Sequence, residues 1–484
     1  MRLRGLFTVG VTGALVLAGC SSTSEPESPP VDASALAGSV TEDALVAHLE
    51  ELQTIADDND GNRAAGTPGY EASVDYVAQV LTDNGFDVQT PEFEFHNFDV
   101  AAEKLRSHDR DLEVRALSYS PSTGPDGLTA RLVPARQDET PGCEATDYDG
   151  LDVNGAIVLV DRGICPFSAK QQIAAERGAS AVIVVNNEDG PMSGGTLGDP
   201  SAGKIPTGGV SRADGDALRQ GGGDVTLTLD TSTETSTSRN VIAQTTTGST
   251  DDVVMVGAHL DSVPEGPGIN DNGTGVAAIL ETAVQLGGSP DADNTVRFAF
   301  WGAEELGLLG SEAYVTGLSE EERNDIALYL NFDMLGSENA GYLTYDGDNS
   351  DNVGEGPGPE GSAGIERTFV DYLGKNGIAA NGTDFDGRSD YGPFIEQKIP
   401  SGGVFSGADD KKTAEEAQKW GGTPDAVFDK HYHSPTDTLA NIDRAALAKN
   451  ASAVAYAVGV YAESLAGPNG VPTGADREKA RAAQ

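Results

Sequence analysis

The chain has 484 residues, of which 38% are apolar, 22% charged and 61 are Gly. That composition supports packed cores and lacks a collagen period or coiled-coil character. Asp and Glu number 77 against 31 Lys and Arg, a net charge of −46, so the surface repels phosphate backbones and nucleic-acid binding is excluded as a function class.

In chain order, Arg2 and Arg4 precede a short apolar stretch over 5–17 that ends in LAGC at Cys20. The stretch is too short to span a bilayer and reads as an export signal over 1–19. LAGC resembles the lipobox of bacterial lipoproteins, which implies lipidation of Cys20 after cleavage. No later apolar run reaches the length of a spanning helix. The body is therefore expected outside the cytoplasm, touching the bacterial cell membrane only through its lipid. Residues 20–40 are rich in Ser, Pro and Glu and predict a flexible tether.

From Thr41, the spacing of Leu45, Leu49, Leu52 and Ile55 predicts a helix. A second begins near Pro68 and ends near Gly85. Residues 41–114 form the first part of the expected catalytic domain. Over 115–238 the texture changes to short strands (LTARLVPA, GAIVLVDRG, SAVIVVNN, VTLTL) joined by Gly, Pro and Asp turns, with a single helix. This predicts a separate β-rich module. It holds Cys143 and Cys165, 22 residues apart, and in an exported protein these are expected to form a disulfide whose loop closure stabilises by about 3 kcal/mol. Over 239–466 apolar strands alternate with helices, predicting a mostly parallel sheet covered on both faces. Residues 467–484 are polar and predict a disordered tail.

Ligand-type residues stand where the apolar strand runs stop. VVMVGA leads into His259 and Asp261, FAFWGA into Glu304 and Glu305, ALYLNF into Asp333, and Asp271 opens a helix after a Gly-rich loop. In an open α/β sheet the crevice lies at the carboxyl ends of the strands, so these groups can converge. Imidazoles and carboxylates without Cys suit Zn²⁺ with a position left for water. Two such ions about 3.5–4 Å apart would activate that water at neutral pH. Of the six His, His48, His96 and His108 fall in the amino-terminal part, leaving His431 and His433 of FDKHYHSPTDTL as further donors.

In that order, HLDSVPEGPGINDNGTG, FWGAEELGLLGS, NFDMLGS, GRSDYGPF and YHSPTDT resemble the double-zinc aminopeptidases related to aminopeptidase Y, many of them secreted and leucine-preferring. The resemblance covers nearly all of the exported body, and the β-rich module resembles their inserted protease-associated domain. It implies an α/β zinc-exopeptidase fold and a metalloaminopeptidase with two Zn²⁺ per chain. His259 and Asp333 would complete one site, Glu305 and His433 the other, and Asp271 would bridge them. Glu304 would be the general base, the Asp261 carboxylate would orient His259, and Tyr432 would donate to the oxyanion. Arg388 and Phe405 would line the substrate pocket. The expected partners are peptides with a free N-terminus, and the expected state is a monomer. Some secreted relatives carry cysteines beside the YH motif; His431 and Thr436 stand there in this chain, and His431 is read as an exposed side chain. Two alternatives stay open on the residues: a carboxypeptidase or dipeptidase on the same fold, or an inactive peptide-binding lipoprotein.

Overall fold

The computed structural model describes residues 30–190, 192, 195–354 and 356–483. The signal segment and Cys20 lie outside the described residues. The catalytic part is built on a six-stranded sheet in the order Asp87–Gln89, Val241–Gln244, Asn294–Trp301, Ser249–His259, Ile326–Asn331, Ser401–Gly402. The last four pair in parallel, while Val241–Gln244 runs antiparallel to its neighbours. The strand runs are apolar throughout because both faces are covered, and the two-residue period sorts their side chains. Val254, Val256, Phe298 and Phe300 face one core, with the helices Glu42–Asp58, Gly275–Leu286 and Arg444–Glu463. Met255, Ala299 and Trp301 face the other, with Val315, Tyr391 and Phe394.

The β-rich module is an eight-stranded sheet with two apolar cores of its own. Cys143 and Cys165 are joined, with their Cα atoms 5.9 Å apart. Its two longest strands, Glu92–Ser107 and Asp224–Arg239, are neighbours that pair along almost their whole length. The insert therefore begins structurally near residue 92, well before the expected boundary at 115. Hydrophobic alternation in FEFHNFDV marks a strand but not the sheet it joins.

Two terminal expectations are corrected. Part of the expected tether is structured: Ala33–Ser39 is a helix capped by Asp32, which accepts from the amides of Ser34 and Ala35. Leu36 and Ala37 are buried, and the helix lies so close to Arg444–Glu463 that a Cβ on Gly459 would sit 2.7 Å from the Cα of Ala33. The expected disordered tail contains the helix Gly474–Ala483. Arg477, only 3% exposed, holds it by donating to the carbonyls of Asp251 (2.9 Å) and Asn324 (2.7 Å) and to the Asp252 carboxylate. Both segments are ordered by contacts with distant parts of the chain, which their polar composition does not announce.

Candidate active site

The parallel strands deliver their terminal residues to one edge of the sheet. His259 ends its strand, 1% exposed. Its Nδ1 lies 3.1 Å from the carbonyl oxygen of Asp261. Since a carbonyl only accepts, Nδ1 carries a proton, and Nε2 is the ring nitrogen that faces the cavity. Nε2 is 3.2 Å from Asp271 Oδ1, 3.4 Å from Asp333 Oδ1 and 4.0 Å from Glu304 Oε2. The backbone carbonyl of Asp261 is thus nearer to Nδ1 than the carboxylate is. Its carboxylate, 3.8 Å from Nδ1, accepts from the amides of Glu304 (3.1 Å) and Glu305 (3.4 Å) and so shapes the turn that carries both.

Asp271 occupies the centre of the cluster. Its Oδ1 faces His259, while its Oδ2 lies 3.1 Å from Nε2 of His433. That same imidazole nitrogen is 3.0 Å from Glu305 Oε2. Two compact donor sets result, His259 with Asp271 and Asp333, and His433 with Asp271 and Glu305, each with its atoms within 4.8 Å of one another. A third grouping joins His259 to Glu304 and Glu305. Glu305 Oε1 and Asp333 Oδ1 are buried without a hydrogen-bond partner. Buried oxygens normally find partners. An acid-rich nitrogen and oxygen set with two open oxygens therefore fits a dication of the zinc type.

The surroundings over-determine these positions. Asp437 accepts from the amides of Asn270 (2.7 Å) and Asp271 (3.0 Å), which fixes the loop bearing Asp271. Ser389 donates to Asp333 Oδ2 at 2.7 Å and accepts from Asn331, which in turn accepts from Tyr329, itself hydrogen-bonded to Trp301. Ala303, Met334 and His433 have positive φ angles of 57°, 50° and 50°. Left-handed backbone at a residue with a side chain costs about 1–2 kcal/mol, and here it flanks or carries three of the cluster residues.

A cavity open to solvent adjoins the cluster. Arg388, Phe405 and Tyr432 all line it. The Tyr432 hydroxyl is 3.4 Å from Arg388 Nη2, and its ring stacks on His433. Every described lining residue falls between 271 and 433, so the β-rich insert contributes none of them. His431 turns elsewhere, with Nδ1 2.8 Å from Thr436 Oγ1 and Nε2 3.4 Å from Glu338. Its side chain is 12% exposed, so the expectation of an exposed residue is corrected.

Sequence reasoning missed Arg63, Asp390 and Asp437. Asp390 lies inside GRSDYGPF, yet nothing in the motif shows that it is wholly buried with both oxygens unpartnered. Burial pushes its pKa up to about 7, with the Asp333 charge adding to the effect. Burial likewise raises Glu305 to about 7 and Glu304 well above the usual carboxylate range. Burial acts to lower both imidazoles, but neighbouring carboxylates outweigh it: Asp333 and Glu304 raise His259, and Asp271 and Glu305 raise His433 to about 10. Asp271 alone is lowered, because hydrogen bonds from the two imidazoles overcome its burial.

Raised folded-state values contribute stability that is present at low pH and lost as pH rises through them. The carboxyls at issue lie near 7 or above, and the imidazoles act in the same direction, while Asp271 has finished titrating below this range. The metal-free protein is therefore expected to lose stability steadily between about pH 5 and pH 8. Zinc should flatten that slope and Asp390→Asn should reduce it, both readable as melting temperature against pH in chelator. A slope identical with and without zinc would count against metal binding at these groups.

Residues 240–458 match the model of peptidase family M28, and residues 128–218 match the PA domain. The chain is 56% identical to a probable lipoprotein aminopeptidase, LpqL, of Mycobacterium tuberculosis, over 98% of this chain and 97% of that one. It is 41% identical to leucine aminopeptidase 2 of Trichophyton rubrum, covering 87% and 84%. Of solved structures, an aminopeptidase from Aneurinibacillus sp. strain AM-1 superposes with a TM-score of 0.69 at 28% identity, covering 89% of this chain and 96% of the other. A zinc aminopeptidase from Bacillus subtilis does so at 0.56 and 28% identity, covering 92% and 98%. With likeness running along nearly the whole length and a donor cluster at the strand ends, this chain belongs to peptidase family M28, carries an inserted PA domain, and is a metalloaminopeptidase.

Proposed function

We propose that the enzyme is an exported, lipid-anchored aminopeptidase that binds two zinc ions and releases N-terminal residues with apolar, leucine-like side chains. The observation that carries the reading is Asp271, which faces His259 with one oxygen and His433 with the other. That placement supports a carboxylate that would be shared between two ions. His259 and Asp333 would complete one site, Glu305 and His433 the other. When bound, the two ions would polarise the scissile carbonyl and lower the pKa of the attacking water.

The chain's own residues do the rest. Glu304 takes a proton from the attacking water and returns it to the leaving amine. Tyr432 donates to the developing oxyanion; burial raises its pKa, so the hydroxyl keeps its proton throughout the neutral range. The substrate's α-amine docks against Glu304 and Asp333, which is why a free N-terminus is required. Phe405 and Arg388 border the first side chain. A carboxypeptidase needs free cations for the substrate's terminal carboxylate, and Arg388 already lies 3.4 Å from Asp409.

Cys20, at the end of LAGC, is the proposed lipid site, in keeping with the lipoprotein name of the mycobacterial relative. No helix among the described residues is long and apolar enough to cross a membrane. A monomer suffices for the site, since every group named comes from one chain.

The deciding experiment uses the body lacking residues 1–20. It is expected to cleave leucine p-nitroanilide but not its N-acetyl form, to lose activity to a chelator, and to regain it with zinc as metal content rises to two per chain. Cleavage of the acetylated substrate would remove the aminopeptidase reading. Full activity at one zinc per chain would remove the shared-carboxylate reading.

A further inference from the structure

The cavity beside the cluster has two kinds of wall. Its inner surface includes Met334 and Tyr345, both buried, and the half-buried Phe405. Its outer surface is acidic: Asp386, Asp409 and Asp410 are exposed, and Asp384 is half-buried. Apart from His433, Arg388 is the one basic side chain among the described lining residues, and it pairs with Asp409. Asp386 is held at the rim by the Tyr391 hydroxyl (2.7 Å) and the Arg388 amide (3.0 Å). Among the described residues, Asp384, Asp386 and Asp410 have no ion-pair partner. None of the three belongs to the donor sets around Asp271, so metal binding leaves their charge in place.

A cavity with an apolar stretch of wall and an acidic rim suits a side chain with a long apolar stem and a cationic end. Leucine meets only the inner wall. Lysine or arginine lays its methylenes along the same wall and reaches the rim with its charge, where several carboxylates of one sign attract it.

We propose that the pocket accepts N-terminal lysine and arginine at least as well as leucine, with Asp384, Asp386 and Asp410 as the residues that set this preference. The inference rests on the aminopeptidase reading above and adds a second substrate class to it.

The test compares kcat/KM for leucine, lysine and arginine p-nitroanilides on the zinc-loaded enzyme at about 20 mM and about 500 mM salt, since exposed charges are screened over that range. Lysine and arginine are expected to equal or exceed leucine at low salt, and their advantage is expected to shrink at high salt. In Asp384→Asn/Asp410→Asn the lysine-to-leucine ratio should fall about tenfold, mainly through KM, while Asp384→Glu should keep it. Because the ratio is taken within one preparation, a partly folded variant does not distort it, and the salt series on the unmodified enzyme decides the matter if the variant fails to fold. Lysine and arginine cleaved far more slowly than leucine, with a ratio insensitive to salt and to substitution, would overturn the proposal. A cation preference appearing only at the second residue of dipeptides would overturn it too. Failure to cleave leucine p-nitroanilide at all would instead remove the aminopeptidase reading.

Discussion

Glu304→Gln is expected to lower kcat by about 100- to 10,000-fold, the usual contribution of a positioned acid–base group, while zinc content stays at the wild-type level. The substitution keeps the shape of a side chain that is 9% exposed and removes only its capacity to take a proton. The backbone amide of residue 304 still donates to Asp261, so the turn holding Glu305 should survive. Both donor sets that share Asp271 are complete without Glu304, whose Oε2 lies 4.0 Å from His259 Nε2. Metal content and single-turnover rate, measured on the same sample, separate chemistry from binding. Wild-type turnover in the variant would take Glu304 out of the proton transfers; loss of zinc would make it a ligand instead.

Arg63→Met is expected to destabilise the protein by about 3–5 kcal/mol, the range found when one member of a buried charged network is removed, and to weaken zinc binding. Arg63 is fully buried. Its guanidinium donates to the carbonyls of Pro267 (3.0 Å), Gly268 (2.7 Å) and Leu260, and its own amide donates to Ser262 at 2.9 Å. Burial pulls its pKa down to about 10, with the Asp261 charge opposing, so it remains a cation at neutral pH. One side chain thus ties together the segment 260–268 between His259 and Asp271. Met fills similar space but leaves three buried carbonyls without donors. Arg63→Lys should recover little, because an ammonium cannot reproduce the planar fork. Denaturant unfolding of the metal-free protein and a zinc titration read the two effects; an unchanged midpoint with unchanged zinc affinity would reduce Arg63 to a filler.

Much of this protein is written in its local sequence, since strand-end placement is a local property. An apolar run that stops at His259, at Glu304 or at Asp333 declares both a buried strand and the edge at which its last side chain emerges, and parallel strands share that edge. The helices over Glu42–Asp58 and Pro68–Asp83 follow equally from their apolar period and caps.

What depends on residues far apart in the chain was decided only by the tertiary structure. The carbonyl of Asp261 meets His259 Nδ1 more closely than its carboxylate does, because backbone direction at a strand end is set by what the turn packs against. Asp437 holds the Asp271 loop across more than 160 residues, and Arg477 orders a tail whose polar composition predicts disorder. Asp390 stood within a recognised motif, yet its isolation depends on burial from all sides. Local sequence carries the periodicities that build elements and the chemistry at their ends. Burial, partner choice and the charge around a cavity are sums over neighbours that only the folded chain assembles.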